Sequence, residues 1–255
     1  MEFKGQGKAL SPAGLATAAD TLGVNAAAMW AVLSVETRGA GFLSDRRPII
    51  LFERHVFSRR TGRRFDHSHP AISNVSFGGY GRSGAQQYER LANALSLDRR
   101  AALESASWGL GQVMGHHAER LGYGHVEQMV AAMAEGEDAQ LAAMAGFIRA
   151  HRRCHRALMA LDWTAFARIY NGPGYARNNY HRRLEQQYRR WLAGPLPDLA
   201  VREAQLQLRY LGYSPGPIDG LIGRFTRQAL VAFQGVVGLP QTGDPDESTL
   251  QQLAA

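Results

Sequence analysis

The tetrapeptide Gly194-Pro195-Leu196-Pro197 divides the chain. Each proline fixes φ and removes a backbone donor, so two within three residues stop the preceding helix and stiffen the connection beyond it. One continuous fold is therefore not expected. The reading is a larger unit over 1–193 and a smaller one over 198–255. The chain has 255 residues, against roughly 150 for a common domain, which leaves room for both. No period of roughly 20–50 residues runs through it, which excludes a solenoid.

The larger unit reads as mostly helical. Ser11-Pro12 has the form of an N-cap followed by proline at the first helical position, opening a helix to about Leu22. Asn25 caps a second helix, AAAMWAVLSVE, in which Met29, Val32, Leu33 and Glu36 share one apolar face. Further helical patterns cover about 83–95, 98–106, 125–133, 137–160, 163–170 and 176–192, with Asp98 and Asp162 as N-caps. Residues 37–82 are instead rich in arginine and glycine and contain a β-prone run, Pro48 to Phe57. They predict an irregular or small β lobe. The last 60 residues read as three short helices between glycine and proline turns.

Apolar residues make up 45% of the chain and charged ones 20%, enough for a real core and too ordered a mixture for intrinsic disorder. The uncharged stretches between Asp20 and Glu36 and between Arg227 and Asp244 fall short of the roughly 20 apolar residues that span a bilayer, so no stable membrane insertion is expected. The N-terminus MEFKGQGKAL lacks the apolar core of a secretory signal, which predicts a chain made for the cytoplasm. Cys154 is the single cysteine, so no intrachain disulfide can form. Lys and Arg number 29 against 22 Asp and Glu, and the excess lies in the larger unit. A basic body suits anionic envelope polymers or nucleic acid. The arginines are scattered rather than gathered on one recognition helix, which argues against nucleic acid.

Glu36 is the first chemical clue. A carboxyl on an apolar helix face loses solvation and holds its proton toward neutral pH, as donation to a leaving glycosidic oxygen requires. The competing reading is an exposed last turn with Glu36 paired to Arg38. Asp45 and Glu53 follow across a glycine-rich turn, and either can face Glu36 as the water-activating base. A plain ion pair with a nearby arginine is the alternative for each. His67 with His69, and His151 with Cys154 and His155, are the metal candidates. They lack zinc-ligand spacing, and Arg149, Arg152, Arg153 and Arg156 oppose a dication. No metal and no cofactor is expected. Neither G-x-S-x-G nor a phosphate-binding P-loop occurs.

Three segments taken together are more specific: Val35-Glu36-Thr37-Arg38-Gly39-Ala40-Gly41-Phe42, Ser105 to Gly115 (SASWGLGQVMG) and Ala167 to Tyr175 (ARIYNGPGY). In this order they resemble the lysozyme-like superfamily. Residues 10–193, including Arg47 to His55 (RPIILFERH), resemble the N-acetylmuramidase domain of phage endolysins. Residues 198–255, with LGY at 211–213, IDGLIGRFT at 218–226 and GLPQTG at 238–243, resemble a three-helix peptidoglycan-binding module. Asp219-Gly220 reads there as a turn, Thr226 as a cap or buttress, and Leu206, Leu230, Phe233 and Leu253 as core.

The resemblance implies a mainly α protein, with a lysozyme-like helical catalytic domain, a small irregular or β lobe and the three-helix module. It carries Glu36 over as general acid, and makes Gln112, Met114, Tyr170, Asn171 and Tyr175 saccharide-contacting or Glu36-positioning residues. The Glu36–Asp45 gap is similar to the Glu–Asp spacing of many phage lysozymes, which favours Asp45 over Glu53, although some members of the wider superfamily use a single Glu. The implied partner is bacterial peptidoglycan, cleaved between N-acetylmuramic acid and N-acetylglucosamine, and a monomer is the default because nothing in the sequence marks a dimer surface. Such an enzyme would accumulate in the host cytoplasm and act on the wall in the periplasm after release. The alternatives are a lytic transglycosylase forming 1,6-anhydro products and a non-catalytic wall-binding protein.

Overall fold

Helix starts follow the polar residues that precede them. Ser11 accepts from the Gly14 amide, Asn25 from Ala28, Asp98 from Ala101 and Asp162 from Ala165, each at 2.9 Å. These caps satisfy amides that have no intrahelical acceptor. They open the helices Pro12–Leu22, Ala26–Glu36, Arg99–Glu104 and Trp163–Tyr170. The computed structural model describes residues 2–37 and 39–254, with Glu36 described by its backbone alone. Of the chain 56% is helical, with thirteen α-helices and one three-stranded sheet among the described residues. The mainly α architecture read from the sequence is the one observed.

The helix Ala26–Glu36 departs from the amphipathic expectation. Residues 27–33 and Val35 are all buried, so it is apolar all round and runs through the centre of the body. The helix Tyr180–Ala193 lies along it, where Trp191 Nε1 donates to Ser34 Oγ at 3.2 Å. The spacing that set Glu36 apart therefore does not mark a separate apolar face.

The run Pro48–Phe57 is strand only over Ile50–Phe52 (β1), and Glu53 then precedes a helix, Arg54–Arg60. Val56 and Phe57 are both buried from that helix, which period-two alternation would not allow. β1 pairs antiparallel with Ala106–Trp108 (β2), and β2 with Val113–Met114 (β3). The helix expected over 98–106 ends at Glu104 because Ala106 is already in β2. The pattern over 137–160 breaks at His151 into Glu137–Ala150 and Arg152–Met159. In one straight helix the buried Cys154, Ala157 and Leu158 would face away from the buried Leu141, Met144 and Ile148. The break turns both stripes inward.

The C-terminal helices are Leu199–Tyr210, Arg224–Val236 and Glu247–Ala254. Leu230, Phe233 and Leu253 form their core as expected. Leu206 is buried elsewhere, with Ala40, Phe42 and Ile218, where this unit meets the larger one. Burying each large side chain there contributes roughly 2 kcal/mol. The junction also has a polar centre. Arg202, 2% exposed, forms a two-pronged pair with Glu137, 0% exposed. Tyr210 Oη donates to the Gly7 carbonyl at 2.8 Å, and the Arg46 guanidinium lies 5.1 Å from the Tyr210 ring centre. The proline-stiffened connection thus joins two units that are packed together.

Inside the smaller unit, two buried glutamines hold the turns. Gln205 accepts from the amides of Asp219 and Gly220 and donates to the Leu221 carbonyl and Thr226 Oγ1. Thr226 passes the network to the Pro215 carbonyl at 2.9 Å, the buttress read from the sequence. Gln234 accepts from Gly243 and donates to Thr242, Thr249 and the Asp244 carbonyl. Gln234→Leu keeps the volume but strands the Gly243 amide and the Asp244 carbonyl. It is expected to cost about 3 kcal/mol in denaturant unfolding, since each buried polar group left unpaired costs about 1–3 kcal/mol.

Candidate active site

β1, the turn between β2 and β3 and the loop after Glu36 enclose a cleft of about 520 Å³. Ala40, Ile50, Glu53, Ser107, Gln112 and Met114 line it, and Ser83 and Gly84 stand at its rim. Gln112 has left-handed backbone, φ +48°, and its side chain locks the turn that it sits on. Its Nε2 donates to the carbonyls of Ile49 and Gly109 at 3.1 and 2.8 Å, while its Oε1 accepts from Ser107 Oγ at 3.0 Å. The amide is thus engaged within the protein. Met114 is half-buried in the wall.

The two carboxylates that the sequence placed opposite Glu36 have different surroundings. Glu53 lines the cleft with its side chain 14% exposed, and its Oε2 lies 3.1 Å from His55 Nδ1. Burial pushes the Glu53 carboxyl up, and the neighbouring His55 and Tyr80 only partly offset it. Burial, and beyond it the neighbouring Glu53 carboxylate, push the Tyr80 hydroxyl up to about 12. Phe77, 75% exposed, packs on His55 and Tyr80 at 5.1 and 5.7 Å between ring centres, forming an aromatic ledge beside the carboxyl. Asp45 is not among the residues lining the cleft. Burial opposes its ionisation, but the hydrogen bonds from Arg47 side chain and backbone outweigh this and hold the carboxyl below its ordinary range.

The third sequence segment meets the turn between β2 and β3. Tyr170 Oη donates to the Gly111 carbonyl at 3.3 Å, and its ring stacks on Phe166 at 5.3 Å. Asn171 ends the helix Trp163–Tyr170, and Tyr175 meets the edge of His181 at 5.4 Å. Tyr170, Asn171 and Tyr175 are absent from the cleft lining.

Residues 25–192 match the N-acetylmuramidase family, and residues 198–253 match the peptidoglycan binding domain family. The chain belongs to the N-acetylmuramidase family. The crystal structure of the Burkholderia AP3 phage endolysin is similar to it, with TM-score 0.70 and 42% identity over 73% of this chain and 72% of that one. No match was found among curated proteins.

In this muramidase the side chain of Glu36 and all of Arg38 lie outside the described residues, and with them both readings of the Glu36 carboxyl. Among the described residues, no three His, Cys, Asp or Glu side chains converge to hold a metal ion. His155 Nε2 lies 3.0 Å from the Leu22 carbonyl, and His69 Nδ1 lies 2.9 Å from Ser68 Oγ. Among the described residues, no single helix is long and apolar enough to cross a membrane.

Two residues that organise the cleft were missed in the sequence. Glu137 Oε1 accepts from the Gly41 amide at 2.7 Å, and Gln140 Oε1 accepts from Leu110 at 2.7 Å. A side chain at Gly41 or Gly109 would collide with the Gln140 amide, so these glycines permit the close approach. A signal for both existed. Glu137 and Gln140 share the stripe of Leu141, Met144 and Ile148, polar groups on a helix face that must be buried.

The opposed environments of Glu53 and Asp45 predict opposite pH effects. Glu53's raised value gives stability that is complete below the ordinary 4.5 and lost as pH rises through the folded value. Asp45's lowered value gives stability that is complete above the ordinary 3.8 and lost as pH falls through the folded value. In thermal unfolding from about pH 2.5 to 7, the Tm of Glu53→Gln relative to wild type should climb with pH. That of Asp45→Asn should fall. A common sign for the two would contradict these environments.

Proposed function

We propose that this muramidase hydrolyses the β-1,4 bond between N-acetylmuramic acid and N-acetylglucosamine in bacterial peptidoglycan, acting as an endolysin. The catalytic unit is 1–193 and the wall-binding unit 198–255. Glu36 protonates the leaving oxygen as positive charge develops on the sugar ring. Glu53 activates the attacking water or stabilises that charge. The observation that carries this reading is the position of Glu53, a desolvated carboxyl in the wall of the cleft that the loop after Glu36 also lines through Ala40. A carboxylate with a raised pKa is the stronger base wherever the pH exceeds it. The sequence favoured Asp45. Its engagement by Arg47, and its absence from the cleft lining, move the assignment to Glu53.

Similarity to a phage endolysin supports the endolysin role, and the peptidoglycan binding match supports the wall as partner. The excess of 29 basic over 22 acidic residues would draw the enzyme to anionic envelope polymers, an attraction weakened by salt. Release from the host cytoplasm to the wall completes the proposed route.

Mass spectrometry of digested peptidoglycan tests the bond and the reaction together. Reducible muramic acid ends are expected. Anhydro ends that resist borohydride would mean a transglycosylase, and no new glycan ends would mean a binding protein. Glu36→Gln should lower turnover at least about 1,000-fold and Glu53→Gln about 100-fold, the scale of losing a positioned acid or base. Wall binding, measured by co-sedimentation, should persist in both. Near wild-type lysis by Glu36→Gln would remove that residue from the mechanism.

A further inference from the structure

We propose that Arg202, on the first helix of the wall-binding unit, is a positioning residue for the catalytic loop that follows Glu36. The geometry is direct. Arg202 Nη2 donates to the Gly39 carbonyl at 2.7 Å and to Glu137 Oε1 at 3.0 Å, while Nη1 pairs with Glu137 Oε2. That Glu137 also accepts from the Gly41 amide at 2.7 Å. The stretch Gly39–Gly41 is therefore held at both ends by one buried ion pair, and only one member of the pair belongs to the catalytic unit.

The loop needs such a hold because it has cavities on both sides. Ala40 lines the 520 Å³ cleft. Thr37 and Gly39 line a second cleft of about 320 Å³, whose far wall is Arg202, Pro217, Ile218 and Asp219. Gly39 has φ +92°, and a Cβ there would lie 3.2 Å from the Ile218 carbonyl oxygen. The loop backbone thus runs against the backbone of the smaller unit. Its position is passed on to the cleft, since the Ile49 amide donates to the Gly41 carbonyl at 2.7 Å and the Gly109 amide to the Ile49 carbonyl at 2.8 Å. A guanidinium fits this place. It is planar and always charged, and it offers parallel donors to a carboxylate with one left for a carbonyl.

The inference rests on the reading of Glu36 as the acid, and the experiment separates the two. Full-length Arg202→Ala, Arg202→Lys and Glu36→Gln are compared on a soluble glycan tetrasaccharide of alternating N-acetylglucosamine and N-acetylmuramic acid. Rates are corrected for the folded fraction read by near-UV circular dichroism. A tether acts only through local concentration, and a soluble fragment removes that benefit. For Arg202→Ala the expected result is a kcat lower by about 100-fold, the scale of a misplacement near 1 Å, with KM within about twofold. Arg202→Lys should recover part of the loss, and added guanidinium should restore part of the Arg202→Ala activity. Sedimentation with purified walls should be unchanged. Arg202→Ala with wild-type kcat, or with a loss confined to KM, overturns the proposal and leaves the unit as a tether. A loss that tracks the unfolded fraction, with no guanidinium rescue, also overturns it. Turnover retained by Glu36→Gln overturns the acid assignment instead, whatever the Arg202 variants do.

Discussion

The carboxylate of Glu137 is where the parts of this muramidase meet. It accepts from Leu10 in the N-terminal segment, from Gly41 in the loop after Glu36, and from Arg202 in the wall-binding unit. A carboxylate that is 0% exposed survives only if its oxygens are filled with donors, and here they are. Removing one partner of such a pair costs about 3–5 kcal/mol, because the other charge stays buried. The Glu137–Ala150 helix reaches the core through Leu141, Met144 and Ile148 on the same stripe. Hydrophobic packing thus holds the helix, and the helix places one charge where three segments need a donor-acceptor match.

Neutral amides repeat the device. Gln87 accepts from Phe52 at the end of β1 and donates to the carbonyls of Tyr80 and Arg82, which fixes the glycine-rich loop beside Glu53. Gln140 holds the turn at Leu110, while Gln205 and Gln234 hold the turns of the smaller unit. All four are 0% exposed. Glutamine suits the task because one side chain carries an acceptor and two donors, so it can close a loop whose backbone groups pair with no strand or helix. The cleft is made largely of such loops. Its shape follows from a few buried amides and one ion pair more than from regular secondary structure.

This explains which features could be read from the sequence. Ser11, Asn25, Asp98 and Asp162 announced their helices because a cap acts within three residues. The proline pair, for the same local reason, announced the break between the helices Tyr180–Ala193 and Leu199–Tyr210. β2 was hidden because its first residue, Ala106, closed a helical pattern over 98–106, and its strand character depends on Ile50–Phe52, more than fifty residues earlier. Periodicity alone also misjudged the Ala26–Glu36 helix, in which residues 27–33 and Val35 are all buried. At the site, Glu53, Gln112 and Met114 line one cleft that Asp45 does not line, and the burial of Glu53 and the engagement of Asp45 by Arg47 are contacts that spacing does not reveal. Glu137 was passed over because its partners are 65 or more residues away.

The docked arrangement also changes what a wall-binding unit can do for the enzyme. On a long flexible linker, such a unit raises the local concentration of the active site and lets it search a volume set by linker length. Here Leu206 and Ile218 pack against Ala40 and Phe42, and the connection is short and proline-stiffened. A unit that holds the wall from this position presents the cleft at a fixed distance and angle, trading reach for orientation. For a polymer whose bonds repeat along a strand, reach matters less, since the next bond arrives by sliding or rebinding along the same strand. Orientation lowers the entropy still to be lost before a strand is seated in the cleft. The buried pair of Arg202 and Glu137, which also holds Gly39 and Gly41, lies at the centre of that contact between the two units.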